Sequence, residues 1–177
     1  MKQLNRTTKI VAKVLEIVHW VAAALMLAAA IVPHWMSDID ALKKGEEVSV
    51  YGFKVDLFGA ADIVNLTAFR LFAIGAIIIF ILMAMVFRNI HLIMKKSENA
   101  TPFQKDNVRM VREIGIFSIA IPVVGLIMST VIRLAVGVEI AETSVRLGSV
   151  IMGVIMLSLS QIFAYGGTLE RDVDGLV

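Results

Sequence analysis

LFAIGAIIIFILMAMVF, residues Leu71–Phe87, runs between Arg70 and Arg88 without a single charged side chain. A helix needs roughly 17 to 25 apolar residues to cross the hydrocarbon of a bilayer. This stretch meets that length and is apolar on every face, whereas a surface helix of a soluble domain keeps one polar face. In hydrocarbon a backbone N–H or C=O finds no water, so a lone segment of this kind satisfies its hydrogen bonds internally and is helical.

Working outward, three further blocks repeat the pattern. One follows Lys13 and runs to about Trp35, broken only by Glu16, His19 and His34. Another, Ile114–Ile132, lies between Glu113 and Arg133, and the last, Leu147–Leu169, between Arg146 and Glu170. The whole chain of 177 residues is 58% hydrophobic and 18% charged, with a mean hydropathy of +0.83. That apolar content exceeds the usual soluble range. The expected fold is an all-α integral membrane protein, a four-transmembrane-helix bundle in a single membrane domain over 1–177. Its spans are read as about 10–35, 66–96, 102–136 and 145–168, with an external loop over 36–65 and a cytoplasmic tail over 169–177. Lys2, Arg6, Lys9 and Lys13 ahead of Ala28, Ala29 and Ala30 also suit a cleaved signal peptide, but the apolar run is long for one, and a retained helix is expected.

Lys and Arg in the flanking segments set the orientation. One side collects Lys2, Arg6, Lys9, Lys13, Arg88, Lys95, Lys96, Lys105, Arg109, Arg112 and Arg171, eleven of the seventeen. Both termini are therefore expected in the cytoplasm. The external loop places Val48, Val50, Phe53, Val55 and Leu57 alternately with polar residues around Gly52, the pattern of a small extracytoplasmic β-hairpin. Its six acids, Asp38, Asp40, Glu46, Glu47, Asp56 and Asp62, outnumber three lysines. Asn65 stands where it can cap the second span.

The cytoplasmic connection carries TPFQKDNVRMVREIG, Thr101–Gly115. Thr101 suits an N-cap, Pro102 the first helical position, and Gln104 completes a capping box, so the third helix is expected to start in water. With the second helix overshooting to about Lys96 and Ser97–Ala100 as the turn, a helical hairpin projects into the cytoplasm.

Pro102-Phe103, Asn107 and Arg112-Glu113-Ile114-Gly115, together with the tail Ile162-Phe163, Gly166, Leu169, Glu170, Asp172, Asp174 and Val177, resemble the signatures of a bacterial family of unknown function, DUF2975. The resemblance extends over essentially the whole chain. It departs at Gly175, where the family more often has a polar residue, and in an alanine-rich first helix. It implies a small four-pass protein of the bacterial cytoplasmic membrane, often encoded beside a helix-turn-helix transcription regulator, and it supplies no catalytic residue.

Three sets of residues are candidate sites. Pro102, Phe103, Asn107, Arg109 and Arg112 of the hairpin, with Glu170, Asp172 and Asp174 of the tail, fall on one side and can form a partner-docking surface. The alternative is local: Asn107 bridges helix ends and the arginines reach lipid phosphates. Glu16 and His19, three apart on one helical face, could bind a ligand or proton, or Glu16 could simply pair with Lys13 near the interface. Arg70, Arg133 and Arg146 stand at the outer ends of three helices, where they form an anion vestibule or pair with Glu139 and Glu142. His19, His91 and His34 are not placed to ligate haem together, and His34 with Asp38 and Asp40 has no diagnostic spacing, so no cofactor or metal is expected. Ala24 with Ala28, Gly125 with Ser129 and Ser149 with Gly153 permit close helix contact. Pro122 should bend the third helix, and Ser158, Ser160 and Gln161 are expected to face the bundle.

Without cysteine there is no disulfide or thiolate site, and no phosphate loop or nucleophile elbow is present. A non-enzymatic role is expected, foremost a regulatory or accessory protein docking a cytoplasmic partner such as a helix-turn-helix regulator. The alternatives are immunity-type protection against a membrane-active peptide through the external hairpin, and small-molecule binding or transport in the bundle core. The partners expected are the lipid bilayer, that regulator and a second copy of the chain as a homo-oligomer. The net charge of +2 and pI near 9.0 fit anchoring to anionic lipid rather than direct nucleic-acid binding.

Overall fold

The computed structural model describes residues 2–31, 47–57, 65–96, 103–137, 141–142 and 147–174. Four long helices are present: α1 (Lys2–Ile31), α2 (Leu66–Lys96), α3 (Lys105–Val136) and α4 (Leu147–Asp174). Each contains a window long and apolar enough to cross a membrane. Between α1 and α2 lie β1 (Glu47–Val50) and β2 (Phe53–Asp56), and β3 (Ala141–Glu142) precedes α4. The fold is thus the four-span helical bundle with a small hairpin that the hydropathy pattern implies.

α2 is the most enclosed helix, with 44% of its most apolar window buried, against 11% for α4, so α4 leaves most of its surface to lipid or another protein. Its start is fixed by Asn65, whose Oδ1 accepts from the backbone N–H of Thr67 and of Ala68, both at 3.1 Å. Those are two of the donors a helix N-terminus leaves without an internal partner. Thr101 and Pro102 of the expected capping box lie outside the described residues, and Val108 N–H donates to Gln104 O at 3.1 Å in the opening turn of α3.

The chain divides into two compact units. One comprises Met1–Val18, Met83–Ile119 and Gly148–Val177, and the other His19–Leu82 and Ala120–Leu147, so α1, α2 and α3 contribute to both.

In the unit of His19–Leu82 and Ala120–Leu147, the hairpin is the core. β1 pairs antiparallel with β2 in the register Val50↔Phe53, and β2 pairs with β3 through Lys54↔Glu142 and Val55↔Ala141. The period-two alternation sends Phe53, Val55 and Leu57 to one face, and all three are buried. The Phe53 ring stacks on Phe72 of α2 at 5.0 Å between centroids. Gly75 of α2 leaves the room, because a Cβ there would stand 2.8 Å from Phe53 and 2.9 Å from Met128 of α3. The tip is a two-residue turn with positive φ at both Tyr51 (50°) and Gly52 (94°). That geometry matches the right-handed twist of the strands, but it strains a tyrosine by on the order of 1–3 kcal/mol.

In the other unit, α3 and α4 meet backbone to backbone. A Cβ on Gly115 would lie 2.9 Å from Gly153 O, and one on Gly153 would lie 2.9 Å from Gly115 O. Only glycine permits that approach, which gives the last residue of the Arg112–Gly115 motif its physical reason. Ser160 is buried as expected, whereas Ser158 and Gln161 are exposed. At 100° per residue both lie on the same side of α4, Gln161 about 90° and Ser158 about 150° away from the face that Gly153 and Ser160 turn inward.

Candidate functional site

Unit one, built on Met83–Ile119 and Gly148–Val177, gathers the two motif segments. Phe103 precedes α3 and packs edge-on against Phe163 of α4, with centroids 5.8 Å apart. Glycines 166 and 167 receive it: a Cβ on Gly166 would meet the Phe103 ring at 2.8 Å, and one on Gly167 would meet Phe103 O at 2.8 Å. Beside this contact opens a hollow of about 470 Å³, lined by Phe103, Gln104, Lys105, Asp106, Gly167, Glu170 and Arg171. An adjoining depression of about 210 Å³ adds Val108, Ala164 and Thr168. The lining mixes both signs of charge around one aromatic ring.

Behind the hollow the helix ends are tied by polar contacts. Lys96 at the end of α2 pairs with Asp106 in the first turn of α3 at 2.5 Å. Two turns further, Asn89 Nδ2 donates to Glu113 Oε2 at 3.0 Å, and Arg109 Nε approaches Glu113 Oε1 at 3.3 Å. Asn89 is only 4% exposed, so its bond to a carboxylate is the stronger restraint of the two, because the Arg109 side chain stands in solvent or lipid headgroup. His91 Nδ1 lies 3.0 Å from the Lys9 carbonyl of α1. A carbonyl only accepts, so this contact assigns the proton to Nδ1.

Asn107 is 1% exposed and therefore structural in placement rather than available at the surface; its Oδ1 accepts no hydrogen bond among the described residues, while the residue is engaged through another contact. Arg109, Arg112 and Asp172 are exposed, and Glu170 is half-buried beside the hollow. Pro102 and the side chain of Asp174 lie outside what is described. Asn89 and Gly167 were not singled out in the sequence, whereas Gly166 stood in the tail motif. Asn89 sits next to Arg88 at the end of an apolar block, the one signal that marked its position.

Glu16 and His19 have separate contacts. Glu16, 7% exposed, accepts from Lys13 Nζ at 3.0 Å within unit one. His19 belongs to the other unit, where its Nε2 is hydrogen-bonded to the Tyr51 hydroxyl at the hairpin tip and the Phe80 ring stands edge-on at 6.1 Å. The tip therefore lies alongside α1 twelve residues back from Ile31, about 18 Å by helical rise. Burial pushes the Tyr51 phenol above its ordinary value of 10.0. Arg70 is exposed, Arg133 is half-buried and engaged, and Arg146, His34, Asp38 and Asp40 lie outside the described residues.

Four apolar helices, a buried hairpin and a polar hollow where α3 and α4 meet define a multi-span helical membrane protein. The chain belongs to DUF2975, described as a protein of unknown function, which matches residues 64–177. That match begins just ahead of α2 and takes in α3, α4 and both walls of the hollow. Comparison with curated proteins and with solved structures gives no match.

Proposed function

We propose that this protein is a non-enzymatic regulatory or accessory protein of the bacterial cytoplasmic membrane that docks a cytoplasmic partner, such as a helix-turn-helix regulator, on the hollow between Phe103 and Arg171. Both termini lie in the cytoplasm by the Lys and Arg distribution, which turns the hollow toward that compartment. The observation that supports the reading is the convergence of the two motif segments on one open, charged and aromatic depression. Lys105 and Arg171 present cations and Asp106 and Glu170 present anions around the Phe103 ring, the mixed lining a protein surface can match with its own charges.

The chain has no cysteine, so single cysteines report topology and contact cleanly. Cysteines at Lys96 or Lys105 should resist an impermeant thiol reagent on intact cells and react in inverted vesicles. The protein should co-purify from membranes with a helix-turn-helix regulator, and Phe103→Ala with Arg171→Glu should abolish the association while the helices remain folded. Labelling from outside intact cells overturns the orientation, and association unchanged in that double variant overturns the docking site.

A further inference from the structure

Along the apolar length of α4, the hydroxyls of Ser158, Ser160 and Thr168 have internal partners. Ser158 Oγ donates to Val154 O at 3.0 Å, Ser160 Oγ to Leu157 O at 2.7 Å and Thr168 Oγ1 to Tyr165 O at 2.7 Å. Gln161 differs: its side chain is exposed and makes no hydrogen bond among the described residues. It lies about 21 Å from Leu147 and about 18 Å from Val173 by helical rise, near the middle of the apolar span. A carboxamide there has two N–H donors and an acceptor oxygen, and hydrocarbon satisfies none of them.

Among the exposed residues of α4, which also include Met152, Ile155, Ile162 and Leu169, one set falls on a seven-residue repeat. Ile151, Val154, Ser158, Gln161, Tyr165 and Thr168 are all exposed and alternate in steps of three and four. That spacing draws one stripe along a helix and is the seam of a left-handed helix pair. The exposed face of α1 is mostly aliphatic, with Val14, Ile17, Val21 and Leu25, and Trp20 the one aromatic among them, so acyl chains cover most of it. They do not suffice at Gln161.

We propose that α4 pairs with α4 of a second copy of this chain, with the two Gln161 carboxamides hydrogen-bonded to each other within the membrane. Copies inserted with the same orientation present α4 in parallel, and a two-fold axis along the membrane normal sets every seam position against itself. The carboxamide is its own complement, since Nε2 donates to the Oε1 that faces it. The pairing carries no net charge into the bilayer, and the small Ser158 one turn away lets the backbones approach.

Single cysteines placed in turn at Ile151, Val154, Ser158 and Tyr165 should give disulfide-linked dimers on oxidation of native membranes, while Ile78→Cys on the exposed face of α2 should not. In reconstituted lipid, with copies carrying donor or acceptor fluorophores, Gln161→Leu should raise the dissociation midpoint roughly three- to thirty-fold. Gln161→Asn, which keeps the carboxamide, should retain most of the pairing. Unchanged circular dichroism of Gln161→Leu shows that α4 still forms. A wild type that stays monomeric at every protein-to-lipid ratio overturns the proposal. So do cross-links without the three-four rhythm, a midpoint indifferent to Gln161→Leu, or seam cysteines that join a different protein.

Discussion

The two units are held together by opposite means. Around the hairpin, order comes from shape: Phe53, Val55 and Leu57 are buried against Phe72 and the space left by Gly75, with polar contacts such as His19 to Tyr51 and the exposed Lys54–Glu47 pair beside them. Around the hollow, order comes from a chain of polar links, Lys96–Asp106, Asn89–Glu113 and His91 to the Lys9 carbonyl, with Phe103 as the aromatic anchor. A packed apolar core resists change at every atom. A polar end leaves side chains such as Arg109 exposed. The contrast puts stability in the first region, and the proposed docking draws on the second.

Removing the aromatic anchor from each region tests this directly and should give the largest difference. Phe53→Ala leaves a cavity beside Phe72 and is expected to cost about 3–5 kcal/mol, read as a fall in unfolding midpoint in detergent. Phe103→Ala removes a half-buried ring from an open edge and should cost far less stability while abolishing partner association. Equal losses of stability would erase the distinction.

The glycines sharpen it next. Gly115 faces the Gly153 carbonyl, and a backbone cannot step aside, so Gly115→Ala should destabilise by about 1–3 kcal/mol, net of a small gain in helix propensity. Gly75 faces the ends of the Phe53 and Met128 side chains, which can shift, so Gly75→Ala should cost less. A third contrast lies around Glu113. Asn89→Ala removes a buried donor and should cost about 1–3 kcal/mol, whereas Arg109→Ala breaks an exposed pair expected to contribute about 0–1 kcal/mol. Thermal unfolding of the two variants side by side gives the comparison.

Much of the fold was legible because lipid leaves the chain little choice: an uncharged run such as Leu71–Phe87 has to be a helix, and Arg70 and Arg88 mark its ends. Alternation around Gly52 likewise revealed the hairpin, and Asn65 its role as a cap. The depth of the hairpin was not legible. Alternation shows that one face is covered but not by what, and the cover is Gly75, visible as a gap only when α2 and α3 stand beside Phe53. At the hollow, the motifs named Phe103 and Gly166 separately but neither their contact nor Gly167, because two elements separated by sixty residues meet there. Gln161 was placed inward on the assumption that polar residues avoid lipid; the seven-residue rhythm around it carried the opposite information.

Another small effect belongs to the hairpin tip. Tyr51 takes a left-handed backbone that suits glycine or asparagine, so its side chain has to compensate through the hydroxyl on His19 and the ring beside it. Tyr51→Phe keeps the strain and the ring but removes the hydroxyl, and should lower stability by about 0.5–1.5 kcal/mol. Burial raises the phenol's folded-state pKa, so the neutral form is favoured in the native protein. Its contribution is complete below the unfolded value near 10 and is lost as pH rises through the folded one. Unfolding midpoints measured between about pH 8 and 11 should therefore fall more steeply for the wild type than for Tyr51→Phe, and parallel slopes would show that the tip phenol is not buried enough to sense the native packing.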